Sequence, residues 1–255
     1  MAELDLKNAL AELVQEGTKY PGKRETFLAD FALYAFVTDV REHAIAVDLI
    51  STSKVPRAAF ANARAALESA VDAAFLTRDE DQYLLRGAQA RVAELFEVHE
   101  IEKRAAPLKP PMSKAAPPRM HPEDAVVEDA RAWDEEAPGK GDLLRRAWET
   151  FTKDDGNLRK HWSLLSKEKL YTAVFGVDEE GALGAMGEVI HALLSLESHP
   201  RMRVGSRDIE YKDDGGIVLG TKATDPEMAR KIAAHSCKLA TKALQTRRAF
   251  TKEAT

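Results

Sequence analysis

The chain has 255 residues, of which 44% are hydrophobic and 7% aromatic, and it contains one cysteine. This length and apolar content suffice for a substantial core. A single cysteine excludes a disulfide within the chain and a zinc site built on several cysteines. The N-terminus lacks the basic and apolar regions of a signal peptide, and no run of about 18 apolar residues occurs. We therefore expect a cytoplasmic protein without a membrane segment.

Helical periodicity dominates the first hundred residues, where helices are predicted at about 4–16, 24–50, 57–76 and 79–104. The second helix carries apolar residues spaced by three, four and seven, which predicts one core-facing stripe: Phe27, Phe31, Tyr34, Thr38, Ile45 and Leu49. The third helix follows Pro56 and is expected to bury one face, consisting of Phe60, Ala63, Leu67, Val71, Ala74 and Phe75.

A proline-rich segment separates two helical blocks. Six prolines lie between positions 107 and 122. Each removes a backbone donor and disfavours helix at the preceding residue. Residues from about 106 to 141 are therefore predicted to be a long extended connection. Neither block has an obviously closed core alone, so we expect this connection to lie across one bundle rather than to separate two domains.

The second block predicts short helices in "GDLLRRAWETF" and "SKEKLYTAVFG", and a longer one in "DEEGALGAMGEVIHALLSLES". The turn "KDDGG" between "RDIEY" and "IVLG" predicts a hairpin. Asp225 before Pro226 marks the start of a last helix. The expected fold is an all-α helical bundle in one domain, residues 1–255, with one small β-hairpin near the C-terminus.

The C-terminal region is basic although the whole chain has a net charge of -5. Residues 221–255 contain eight Lys or Arg and three Asp or Glu, a balance of +5. Clustered positive charge is typical of a helix that contacts phosphates. A solvated helix face, with cations placed where the helix dipole favours them, accounts for the same pattern. Both interpretations stay open at this point.

Arg64, Glu68 and Asp72 follow one another at intervals of four in "RAALESAVD". This spacing predicts one charged row along the third helix, next to its apolar face. Such a row is an ordinary ion pair at the edge of the core, or it positions a group donated by the C-terminal block. Charges that are buried there need partners, because an isolated ion in a core is costly.

The sequence does not predict a metal site. "EVIH" places Glu188 and His191 on one helical face, as in bundles that bind two metal ions. Such sites need a second Glu-x-x-His pair, and this chain has none. No cofactor motif is present either, because the glycines of "GALGAMGE" follow no strand.

Three short motifs resemble a known group of proteins. They are "PRAAFANARAALE", "HWSLLSKEKL" and "LLSLESHPRMR", and a glycine-containing hairpin and a last helix follow them. This order is similar to that of uncharacterised bacterial all-helical domains related to the HEPN superfamily, whose members are helical bundles that bind nucleotides or RNA in toxin and defence systems. The resemblance covers about residues 41–248. It implies an α-helical bundle, commonly a homodimer, with a polar site near the histidine that ends the penultimate long helix.

The resemblance also implies a set of site residues. Ribonucleases of the superfamily use an arginine followed after four to six residues by a histidine, and His199 matches that histidine here. The positions for the arginine hold Ala192, Leu193 and Leu194, which argues against catalysis. From their charge and position, we expect the binding residues to be Arg64, Glu68, Ser195, Arg201 and Arg203. A structural role for His199 also remains, because Pro200 ends the helix there and a histidine can cap exposed carbonyls.

Three functions from different classes follow. The first is a HEPN-like module that binds RNA or a nucleotide without catalysis. The second is a metal-independent ribonuclease of a defence or toxin type, with His199 as general acid or base. The third is a scaffold or regulator that binds a protein through its basic last helix and its proline-rich segment.

Overall fold

The computed structural model describes residues 5–19, 27–52, 57–105, 121–136, 139–151, 161–176, 209–211, 217–219 and 226–250. Eight helices lie within these ranges: α1 Leu6–Thr18, α2 Phe27–Ser51, α3 Arg57–Leu76, α4 Glu80–Ala105, α5 Pro122–Glu136, α6 Gly141–Phe151, α7 Lys167–Phe175 and α8 Pro226–Phe250. The all-α fold class is confirmed. None of the described helices is long and apolar enough to span a membrane.

Two three-residue strands, β1 Ile209–Tyr211 and β2 Ile217–Leu219, form an antiparallel pair. Ile209 lies opposite Leu219, and Tyr211 lies opposite Ile217. The "KDDGG" turn that would connect them lies outside the described residues. The hairpin as a whole therefore remains a prediction. The helix expected near 178–198 also lies outside the described ranges.

The chain divides into two compact units, and each contains residues from both sides of the proline-rich segment. The first unit comprises residues 1–20, 35–75 and 167–255, and the second comprises 21–34 and 76–166. The expectation that helices before and after the proline-rich segment pack together agrees with this composition.

Within the first unit, α1 packs on α8. The α1 contribution is Leu6, Ala9 and Leu13, all buried. Helix α8 buries mainly small side chains, which let a neighbouring helix approach closely: Ala229, Ala233, Ala234, Cys237, Ala240, Ala243 and Leu244. Arg248 Nη1 lies 2.5 Å from Glu16 Oε1 at the C-terminal ends of these two helices. This ion pair compensates the burial of the Glu16 carboxylate.

Within the second unit, α4, α5 and α6 pack on one another. Their core consists of Leu28, Ala88, Val92, Val126, Ala130, Leu144, Ala147 and Phe151, with Trp133 and Trp148 at its edge. Asp134 holds the start of α6, because its carboxylate accepts hydrogen bonds from Gly141 N at 2.8 Å and Arg145 Nη2 at 2.7 Å. Arg145 and the Gly141 N–H together lower the pKa of Asp134.

Two predictions about the fold were wrong. The extended connection does not continue to residue 141, because α5 occupies Pro122–Glu136. Proline is favourable at the first helical position, so Pro122 begins a helix instead of preventing one. The apolar stripe predicted on α2 faces outwards: Phe31, Tyr34, Ile45 and Leu49 are 52%, 52%, 40% and 69% exposed. The face of α2 that is buried contains Leu33, Val37, Val40, Ala44 and Val47.

The buried face predicted for α3 is largely correct. Phe60, Ala63, Leu67, Val71 and Phe75 are buried, and Ala74 is half-buried. The predicted starts of α6 and α8 are also confirmed, at Gly141 and Pro226.

Substitution of Gly87 by alanine is expected to destabilise the fold by about 1–3 kcal/mol. A Cβ atom there would lie 2.4 Å from the Ala29 Cα, a backbone atom that cannot move alone. Gly17→Ala is the control, because a Cβ at Gly17 meets nothing within 4 Å and alanine favours helix by about 0.5–1 kcal/mol. Urea unfolding of both variants measures the difference, and equal effects would contradict the close α2–α4 contact.

Cys237 is expected to react slowly with thiol reagents. It is buried in α8, and burial raises the pKa of its thiol to about 12. Because the thiolate is the reactive form, alkylation by iodoacetamide at pH 8 should be at least about 100-fold slower in the native protein than in 8 M urea. A native rate within tenfold of the unfolded rate would show that α8 opens readily.

Candidate functional site

Arg64 and Glu68 form the ion pair that their spacing predicts. The Arg64 Nε donates to the Glu68 Oε1 at 3.1 Å, one helical turn apart on α3. Both side chains are partly accessible, at 23% and 34% of their full exposure. The pair therefore lies at the edge of the core and within reach of a ligand.

Lys167 joins this pair from the first position of α7. Its Nζ lies 2.8 Å from Glu68 Oε1, the same oxygen that accepts the hydrogen bond from Arg64 Nε. The residue is 99 positions away along the chain, in the block that follows the proline-rich segment. Glu68 thus holds two cations from two helices. We refer to Arg64, Glu68, Lys167 and Tyr171 as the α3–α7 cluster.

Tyr171 forms the buried side of the α3–α7 cluster. It lies four residues after Lys167, so both side chains share one row of α7, and it is almost fully buried. Burial raises the pKa of its phenol well above the usual value, and the charges of Glu68 and Asp72 raise it further. The hydroxyl therefore stays protonated at neutral pH and is able to donate a hydrogen bond.

Sequence analysis identified Arg64 and Glu68 but missed Lys167 and Tyr171. The signal was present in "SKEKLY", where a cation and an aromatic residue stand four apart. On α3 the same spacing of four joins opposite charges, which predicts an ion pair from the sequence alone. Lysine and tyrosine at that spacing predict no specific interaction within one helix. Their role is visible only when a second helix packs against them.

The remaining predicted residues, Ser195, His199, Arg201 and Arg203, lie outside the described residues. Their assignment as a site therefore stays a prediction. Within the described ranges, no group of three or more His, Cys, Asp or Glu side chains is arranged to hold a metal ion.

Comparison of the chain with protein-family models, curated proteins and solved structures gives no match. The resemblance to the HEPN superfamily therefore stays a prediction from the three sequence motifs.

Loss of the Lys167 ammonium is expected to cost less than about 1 kcal/mol of unfolding free energy. Glu68 and Lys167 are 34% and 49% exposed, and solvent screens an ion pair at that exposure. Urea unfolding of Lys167→Ala, Glu68→Ala and the double variant would measure the pair's coupling energy. A coupling above about 2 kcal/mol would show that the cluster is chiefly a structural link between α3 and α7.

Proposed function

We propose that this protein is a HEPN-like helical module that binds RNA and does not cleave it. Its binding surface would include Arg64 and Glu68 together with the predicted residues Ser195, His199, Arg201 and Arg203. The RNA phosphodiester is the group that these cations would recognise.

The proposal rests on the hydrogen bonding of the Arg64 guanidinium. Its Nε is occupied by Glu68, whereas its two terminal amino groups donate to no side chain or carbonyl of the described residues. A guanidinium held in this way presents two parallel N–H groups in a plane, which match two oxygens of a phosphate. Because Glu68 orients the group before a ligand arrives, less side-chain entropy is lost on binding.

Charge in the α3–α7 cluster supports the same ligand. Arg64 and Lys167 bring two positive charges to the single carboxylate of Glu68. Among those three groups the cations outnumber the anions by one, and Asp72, one turn after Glu68, adds a second carboxylate nearby. A phosphate could bind there without displacing Glu68 from its position. The protonated Tyr171 hydroxyl lies on the inner side, where burial favours the neutral phenol.

The absence of cleavage follows from the motif itself. The superfamily's ribonucleases place an arginine four to six residues before the histidine, where this chain has Ala192, Leu193 and Leu194. A nonpolar side chain cannot stabilise the negative charge that develops on a phosphate during cleavage. Binding therefore needs only the cations, whereas catalysis would need a group that the motif lacks.

Replacement of Arg64 by lysine is expected to weaken RNA binding at least about tenfold. Lysine keeps the positive charge but loses the planar pair of donors, and charge-assisted hydrogen bonds contribute about 1.5–3 kcal/mol each. The measurement is fluorescence anisotropy with a labelled single-stranded RNA of about 20 nucleotides at 50 mM salt, without divalent metal. Gel analysis of the same samples reports cleavage.

Arg131→Lys is the matched control for this experiment. Arg131 lies on α5 with 79% of its side chain exposed, and only a long contact of 3.9 Å links it to Glu135. It should bind RNA as the parent does. Equal binding by Arg64→Lys and the parent would overturn the proposal. RNA cleavage by the parent that disappears in His199→Ala would overturn the statement that the protein does not cleave.

A further inference from the structure

The basic residues of α8 fall into two groups with different surroundings. Arg230 Nη2 lies 3.3 Å from Asp48 Oδ1 on α2, and its Nε lies 3.9 Å from Glu227. Arg248 is paired with Glu16 on α1. Arg247 is buried, with its guanidinium 5.9 Å from the centre of the Phe250 ring. The three arginines of this helix therefore all contact other side chains of the protein.

Three lysines of α8 are exposed and do not form such contacts with the described residues. Lys231, Lys238 and Lys242 are exposed, and none has an ion pair with a described residue. Spacings of seven and four place them on one face of the helix. His235 is exposed on the same face, one turn after Lys231. These four residues, which we call the lysine row, extend over about 16 Å of helix axis.

One acidic residue of α8, Glu227, lies one turn before Lys231, and none lies within a turn of Lys238 or Lys242 along the helix. Residues 228–252 contain neither Asp nor Glu, although the whole chain has 42 of them. Solvated helix faces commonly alternate opposite charges at intervals of four, because such pairs stabilise the helix. Lys238 and Lys242 lack that arrangement, so the positive charges of the row repel one another and add to a local field.

The helix dipole does not account for the row. It favours cations within the last turn of a helix, which on α8 contains Arg247 and Arg248. Lys231 lies in the second turn from the N-terminus, and Lys238 lies in the middle of the helix. At those positions the dipole gives a cation little or no stabilisation.

We propose that the lysine row binds the sugar–phosphate backbone of an RNA strand several nucleotides long. This inference rests on the proposed function for the identity of the ligand, and it extends that function from one phosphate to a strand. Three ammonium groups on one face, with no anion between them, are suited to successive phosphates of one chain.

An acidic peptide fits the lysine row less well than RNA. Protein interfaces are centred on apolar and aromatic residues and are depleted in lysine. The positions along the row are occupied by Lys231, His235, Lys238 and Lys242, followed by Gln245. No large apolar side chain interrupts them. Affinity at this face would therefore come from charge alone, as in binding to a phosphate backbone.

The test is to replace Lys231, Lys238 and Lys242 together by glutamine and to measure binding of a labelled 20-nucleotide RNA between 50 and 200 mM salt. The dissociation constant at 50 mM should rise at least about tenfold. The slope of log K against log salt should become shallower by about 2, because each phosphate contact on a single strand contributes about 0.7.

The charge-matched control is the triple variant Lys7→Gln/Lys140→Gln/Lys169→Gln, which lowers the net charge by the same three units outside α8. It should retain the parent's affinity and salt slope. Melting followed by circular dichroism verifies that both triple variants are folded. If the two triple variants lose the same affinity, net charge explains the effect and the proposal for the lysine row is overturned.

A single-stranded DNA of the same sequence separates the two proposals. Backbone phosphates are common to both nucleic acids, so the lysine row should contribute to DNA binding as well. Loss of binding in the lysine variant together with parent-like binding by Arg64→Lys would support the row and overturn the proposed role of the α3–α7 cluster. The reverse result would overturn the row alone. A parent that binds neither nucleic acid at 50 mM salt would overturn both.

Discussion

Close packing of small side chains is the constraint on which the rest of this protein depends. Aromatic residues make up only 7% of the chain, and long faces of α3 and α8 are buried through alanine. On α3 these are Ala59, Ala63, Ala66, Ala70 and Ala73, each fully buried. Each alanine buries little area, so the attraction must come from many contacts at short distance. Close approach of the helices is therefore a requirement for stability.

That close approach explains why charged side chains connect the helices at their edges. A long side chain beside an alanine seam reaches across to the neighbouring helix. Arg248 reaches Glu16, Arg230 reaches Asp48, and Lys167 reaches Glu68. Each of these pairs joins elements that are distant along the chain.

The two proposed ligand contacts arise from residues that this arrangement leaves available. Arg64 uses only its Nε within the fold, and the lysine row on α8 takes no part in the described ion pairs. The pattern on α8 is informative because the same helix contains both kinds of cation. Arginine forms directed hydrogen bonds within the fold, whereas lysine remains hydrated on a flexible stem. A surface lysine without a partner can bind a phosphate without breaking an existing ion pair.

The sequence by itself determined the helical class, most helix positions, the buried face of α3 and the Arg64–Glu68 pair, because these depend on spacing within one helix. Only the tertiary structure decided which of two apolar stripes of α2 is buried, since the predicted stripe with Phe31 and Leu49 is exposed and the one with Leu33 and Val40 is buried. It also decided that Lys167 meets Glu68 and that Arg230 is used inside the fold while Lys238 is not. Spacing within one helix predicts that an apolar face exists, but packing against a second helix determines which face is buried and which side chains pair.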